Sequence, residues 1–79
     1  MTNLEKYNKI FIECFGVQES DLSDDLKYQS VEEWDSVGHM TMIADIEDAF
    51  EITLDIDDII EFSSYSEGKI LLSKYQVEF

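Results

Sequence analysis

The sequence predicts an all-α protein, a small four-helix bundle of three main helices plus one short helix, with a long loop after the first helix. Three observations support this fold class. Apolar residues recur at steps of three and four in two stretches, as they do on one face of a helix. The 79 residues include no proline, which would interrupt a helix. Ser64 and Glu67, three residues apart, have the pattern of a capping box at a helix start.

The first helix is predicted from Thr2 to Phe15. Its apolar side chains fall on one side of the helix, and they are Leu4, Tyr7, Phe11, Cys14 and Phe15. Gly16 follows directly, and glycine readily takes the left-handed conformation that ends many helices.

The stretch from Val17 to Trp34 is polar and has no sustained helical period, so we expect a long loop. Four apolar side chains are expected to pin it to the core: Leu22, Leu26, Val31 and Trp34. A short helical turn is expected near Asp21 to Leu26. Loops between helices usually have roughly 4 to 6 residues, so a loop of this length indicates a functional segment or a wrong assignment.

The second helix is predicted from Ser36 to Glu51, with Asp35 as its N-cap and Trp34 anchoring its start. Its inward face consists of Met42, Ile43, Ile46, Ala49 and Phe50. A short third helix is expected over Asp55 to Phe62, although its β-branched residues leave a strand open.

We expect the third helix to turn Ile56, Ile59 and Ile60 inward. The last helix is predicted to begin after the Ser64 cap and to end near Lys74 or Tyr75. Its buried face is expected to include Ile70, Leu71 and Tyr75.

Acidic residues dominate the composition. Nineteen Asp and Glu residues stand against five lysines and no arginine, which gives a net charge of −14. Twelve of the acids lie between Tyr28 and Gly68, where there is no lysine or arginine. Binding to nucleic acid by neutralising phosphates is therefore excluded, and the negative surface suits docking to basic patches on partner proteins.

Length and composition predict one domain, residues 1–79, with a single core. We expect a monomer. No apolar run approaches the roughly 20 residues of a membrane-spanning helix, and the N-terminus lacks a signal-peptide pattern, so we expect a cytoplasmic protein. The single Cys14 excludes an internal disulfide. One cysteine and one histidine are too few for a zinc site, and no metal site is expected.

The run W-D-S-V-G-H-M from Trp34 to Met40 resembles the attachment site of acyl carrier proteins, the phosphopantetheine-dependent carrier family. The order of helices, the acidic loop and the closing E-G-K-I-L extend the resemblance over essentially the whole chain. It implies that a phosphopantetheinyl transferase modifies Ser36 with coenzyme A as donor, giving a covalent 4'-phosphopantetheine arm. Independently, the unpaired N–H groups and positive dipole end of a helix N-terminus favour a phosphate there.

The same resemblance implies roles for the residues around Ser36. Asp35 would help to position the metal and the coenzyme during transfer. The docking face for partner enzymes would consist of Val37, Met40, Ala44, Glu47 and Asp48. The implied partners are the transferase, an acyl-loading ligase and acyl-transferring enzymes that carry basic patches, and the chain itself would perform no catalysis.

Two other functions stay open. The first is an aminoacyl or D-alanyl carrier, which uses the same arm. The second, from a different class, is an acidic protein-interaction or calcium-responsive module. The spacing of Asp21, Ser23, Asp25 and Glu32 resembles a calcium loop, but Leu26 occupies the position where the sharp turn needs glycine.

A hydrolase triad made of Asp35, Ser36 and His39 is a poor interpretation. A triad needs a histidine oriented by a separate buried carboxylate, together with a substrate cleft. We therefore interpret His39 as a helix residue near the edge of the bundle.

Overall fold

The computed structural model describes all 79 residues and contains four α-helices. They are α1 (Asn3–Phe15), α2 (Ser36–Phe50), α3 (Ile56–Glu61) and α4 (Tyr65–Ser73). The all-α prediction is confirmed, and each helix begins and ends within two residues of its predicted bounds. None of the four combines the length and apolar character that crossing a lipid bilayer requires.

The helix ends follow local capping rules. The Thr2 hydroxyl accepts a hydrogen bond from the Glu5 N–H (3.1 Å), and Glu5 Oε1 accepts one from the Thr2 N–H (3.0 Å), a full capping box that the sequence analysis did not identify. Gly16 ends α1 with a φ of 65°, as predicted. The Ser64 hydroxyl caps α4 by accepting a hydrogen bond from the Glu67 N–H (2.9 Å).

One cluster of 16 buried residues forms the core, and its centre is aromatic. Trp34 is fully buried. Its ring stacks on Phe15 at 4.8 Å between centroids and meets the edge of Phe11 at 5.5 Å. Such aromatic pairs add stability beyond the area they bury, so the chain is held firmly two residues before α2 begins.

The long loop is pinned to the rest of the molecule. Its apolar side chains behave as predicted, because Leu26 and Trp34 are buried while Leu22 and Val31 pack against the core. The helical turn lies at Glu19–Asp21, earlier than expected, as a single 3₁₀ turn.

Backbone hydrogen bonds also fasten the loop to the connection between α3 and α4. The Tyr28 N–H donates to the Ser63 carbonyl (2.9 Å), and the Tyr65 N–H donates to the Leu26 carbonyl (2.8 Å). Tyr28 is thereby placed beside the end of α3.

The predicted inward face of α3 is wrong. Ile56 and Ile60 are 74% and 73% exposed, Ile59 is half-buried, and the buried residue of the helix is Asp58. A short helix cannot bury opposite faces at once, and the face that turns inward is the one that Asp58 shares with the fully buried Phe62, four residues later. In α4, Leu71 is buried as expected and Tyr75 is half-buried, whereas Ile70 is 65% exposed because Leu72 takes the inward position.

Asp58 ties α3 to the end of α4. Lys74 Nζ donates to Asp58 Oδ1 at 2.7 Å, and the Tyr75 hydroxyl donates to Oδ2 at 2.5 Å. These two hydrogen bonds, the Lys74 bond first, lower the pKa of Asp58. The same pairing raises the pKa of Lys74. The Asp58 side chain is only 11% exposed, so its charge depends on these partners.

Replacing Asp58 with Asn tests this tie. The pKa of Asp58 is lower in the folded state than in the unfolded state, so its carboxylate stabilises the fold at pH values above the pKa of the unfolded state. That stability is lost as the pH falls through the pKa of the folded state. We expect Asp58→Asn to lower the free energy of unfolding at pH 7, and the difference from the native chain to shrink below about pH 4. Urea unfolding at both pH values measures this.

Asp57→Asn is the matched control, since Asp57 is exposed on the same helix and forms no side-chain hydrogen bond. If both variants lose the same free energy of unfolding relative to the native chain, or if the loss in Asp58→Asn does not change with pH, Asp58 does not tie α3 to α4.

Candidate functional site

Ser36 is the first residue of α2, and its side chain is exposed. Asp35 is the N-cap, as predicted, and its Oδ1 accepts a hydrogen bond from the Gly38 N–H at 2.8 Å. The N–H groups of Ser36 and Val37 have no acceptor within the helix, because the first residues of a helix lack one. The Ser36 hydroxyl therefore lies among free donors at the positive end of the helix dipole.

A chain of two hydrogen bonds fixes the start of α2 to its surroundings. The buried Trp34 Nε1–H donates to His39 Nδ1 at 3.0 Å. Because Nδ1 accepts, the imidazole proton is on Nε2, which lies 2.8 Å from the Ile59 carbonyl oxygen and donates to it. We call this connection of Trp34, His39 and Ile59 the His39 bridge. It joins the loop, α2 and α3.

His39 was expected near the edge of the bundle, and it is half-buried. Its part in the bridge was not foreseen. No local pattern in the sequence indicates it, because Ile59 lies twenty residues away.

Gly38 allows the loop to approach α2 closely. A Cβ atom at this position would lie 2.0 Å from the Glu33 carbonyl oxygen, far inside van der Waals contact. Only glycine fits here without moving the backbone before Ser36.

A cavity of about 340 Å³ opens beside Ser36, which forms part of its wall. α2 contributes His39 and Met40, α3 contributes Ile59 and Ile60, and the loop contributes Tyr28. No acidic residue and no lysine lines it. No local pattern in the sequence indicates this lining, because Tyr28 and α3 meet α2 only in the folded chain.

The predicted docking residues are mostly at the surface. Four of them are exposed: Val37, Met40, Ala44 and Asp48. The fifth, Glu47, is half-buried, and its Oε2 accepts a hydrogen bond from the Leu54 N–H at 2.8 Å. One oxygen of Glu47 thus holds the connection that follows α2. The exposed Ile60 lines the same cavity as Met40 and extends the apolar surface.

Cys14 is half-buried rather than fully buried, and its thiol donates to Asp45 Oδ2 at 3.1 Å. Burial and this hydrogen bond raise the pKa of the thiol to about 12. The thiolate is the reactive form of cysteine, and the surroundings of Cys14 disfavour it near neutral pH.

The acidic side chains do not gather into a metal-binding cluster. No group of three or more His, Cys, Asp or Glu side chains is arranged to hold a metal ion. Asp21, Ser23 and Asp25 line an open hollow of the loop, and Glu32 is not part of it.

Residues 9–67 match the family described as phosphopantetheine attachment site. The chain belongs to this family. The match covers about three quarters of the chain and includes the loop, α2 and α3. No curated protein matches the sequence. A member of this family is a carrier of covalently bound 4'-phosphopantetheine, and such carrier domains are in general not catalytic.

Gly38→Ala tests the close approach at the start of α2. The added methyl group forces the Glu33 carbonyl away, and overpacking of this kind costs typically about 1–3 kcal/mol. We expect a loss of unfolding free energy in that range, measured by chemical denaturation. Thr41→Ala, at an exposed position of the same helix, should stay within about 0.5 kcal/mol of the native chain. Equal stability of the two variants would contradict the steric argument.

Proposed function

We propose that this protein is an acyl carrier whose Ser36 holds 4'-phosphopantetheine through a phosphodiester. When bound, the arm supplies a thiol that holds an acyl group as a thioester, and the carrier presents this group to successive enzymes, with the cytoplasm as the expected compartment. The exposed hydroxyl of Ser36 at the first position of α2 is the observation that carries the proposal.

The residues around Ser36 fit a phosphodiester. The free N–H groups of Ser36 and Val37 and the positive end of α2 favour a negative charge at this point. The Asp35 carboxylate, which would repel a phosphate, has one oxygen engaged by the Gly38 N–H. The arm supplies the thiol in this proposal, since burial and the bond to Asp45 disfavour the thiolate of Cys14.

The Ser36 hydroxyl is the only group of this chain that forms a bond in the attachment step. Its oxygen bonds to the phosphorus that bears the pantetheine group of coenzyme A. The bond from that phosphorus to the oxygen shared with the second phosphate breaks, and adenosine 3',5'-bisphosphate leaves. The hydroxyl proton passes to a base of the transferase. We propose that Asp35 assists by positioning the metal and coenzyme of the transferase, since its second oxygen is not engaged by the helix cap.

An acyl cargo is favoured over an aminoacyl cargo by the cavity beside Ser36. An ammonium group inside it would find no carboxylate, because none lines the wall. An uncharged acyl group meets apolar side chains from Met40, Ile59 and Ile60 there. Loading with an acyl-activating or an amino-acid-activating enzyme separates the two cargo classes.

The proposed docking face combines an apolar centre with an acidic rim. Val37 and Met40 are 74% and 53% exposed, and Ala44 follows on the same side of α2. Glu47 and Asp48 supply the acidic rim, which suits basic patches on the transferase, the acyl-loading ligase and acyl-transferring enzymes. The net charge of −14 steers such partners towards the carrier from a distance.

Incubation with coenzyme A and a phosphopantetheinyl transferase tests the attachment site. The intact mass of the native chain should rise by one arm, and Ser36→Ala should abolish the gain because the attacking oxygen is missing. Ser63→Ala is the matched control, since Ser63 is an exposed serine in the wall of the same cavity, and it should keep the full gain. A mass gain in Ser36→Ala would assign the arm to another residue.

Two substitutions of Asp35 separate its cap from its charge. Asn is as good an N-cap as Asp, whereas Ala costs about 1 kcal/mol. We therefore expect Asp35→Asn to keep native stability but to be modified more slowly, and Asp35→Ala to lose both stability and modification rate. Thermal unfolding and the time course of mass gain measure the two effects. If Asp35→Asn is modified as fast as the native chain, Asp35 acts only as a helix cap.

A further inference from the structure

Resting on the proposed function, we infer that His39 limits the sheltered cargo to a compact, uncharged acyl group. A long alkyl chain then stays outside the bundle. Three features of the site impose this limit: the aromatic floor of the cavity, the His39 bridge and the volume available beside Ser36.

The floor of the cavity consists of aromatic rings in two layers. His39 and Phe62 form its surface, with ring centroids 6.2 Å apart and nearly perpendicular rings. Trp34 lies behind His39, with parallel rings at 6.3 Å, and Phe11 lies behind Phe62 at 6.3 Å. Because interiors of this kind are closely packed, a chain that passes the floor must displace fully buried rings.

The His39 bridge closes the space between α2 and α3 at the same place. A long chain that enters between these helices must separate His39 Nε2 from the Ile59 carbonyl. Tilting the imidazole also removes the acceptor of the buried Trp34 N–H. Leaving a buried polar group without its partner is expensive, and an alkyl chain offers no replacement.

The volume of the cavity leads to the same limit. About 340 Å³ is close to the lower end of the roughly 300–1,000 Å³ of pockets that enclose a small ligand. Ser36 is itself in the wall, so the arm occupies part of this space before its cargo does. The remainder accommodates a few carbon atoms.

The native chain provides the first test, after attachment of unacylated, butyryl, alanyl or dodecanoyl phosphopantetheine from the matching coenzyme A derivative. We expect the butyryl arm to raise the thermal midpoint above that of the unacylated arm, and the dodecanoyl arm to raise it no further. The alanyl arm, which carries an ammonium group, should raise it less than butyryl. Trp34 is the only tryptophan, so its indole N–H gives a single NMR signal that should not shift on dodecanoyl loading.

Two variants test the role of His39 itself. His39→Ala removes the bridge and one ring of the floor, and in this variant the dodecanoyl arm should raise the midpoint above the butyryl arm. Thr41→Ala is the matched control, because Thr41 is exposed on the same helix and belongs neither to the bridge nor to the cavity wall. It should keep the native order.

The outcomes separate this inference from the proposed function. If the intact mass shows no gain at Ser36, the proposed function is wrong and the inference falls with it. The inference alone is overturned, and the carrier role stands, if the mass gain occurs but the midpoint of the native chain rises steadily with acyl length and the Trp34 signal shifts with the dodecanoyl arm. An alanyl arm as stabilising as butyryl would overturn the restriction to uncharged cargo. The native-chain result stands even where His39→Ala does not fold.

Discussion

The structure around Ser36 depends on one buried N–H group that needs a hydrogen-bond acceptor. Trp34 supplies the largest side chain of the core, and its ring packs on Phe15 and Phe11. Its indole N–H, taken out of water, would cost about 1–3 kcal/mol without an acceptor. His39 provides that acceptor only as the neutral tautomer with its proton on Nε2, and this proton bonds to the Ile59 carbonyl. A polar requirement of the core is thus met by a connection that also sets α3 against α2.

This arrangement places a rigid support directly beneath an exposed side chain. Ser36 follows Trp34 by two residues, and the Asp35 cap and the close approach of Gly38 to Glu33 leave the start of α2 little freedom. As the proposed tether point, Ser36 must be accessible to modifying enzymes and yet lie at a constant position relative to the proposed docking face. A fully buried anchor two residues away satisfies both conditions.

The charge of the chain has opposite effects on binding and on stability. A net charge of −14 attracts basic partners, and it also makes the folded chain repel itself. The chain has no disulfide, and the packing of aromatic rings in the core offsets this repulsion. The bond between Asp58 and Lys74 has a particular value here, because it joins two helices while neutralising one of the acids.

The amino-acid sequence alone was sufficient for features that depend on neighbours in the chain. The period of apolar residues predicted the helices, Gly16 and Asp35 predicted the ends of two of them, and the position of Ser36 followed from the start of α2. These features arise within one or two helical turns, where spacing and capping chemistry decide the outcome.

The tertiary structure decided what depends on distant contacts. The inward face of α3 carries Asp58, whose partners Lys74 and Tyr75 lie sixteen and seventeen residues later, and it leads to Phe62, which packs against Phe11 of α1. Isoleucines at 56 and 60 carry no local sign that they face solvent. The cavity beside Ser36 and the His39 bridge likewise bring together residues from the loop, α2 and α3. Such pairings depend on how whole helices pack against each other, and apolar periodicity shows only which side chains share a face.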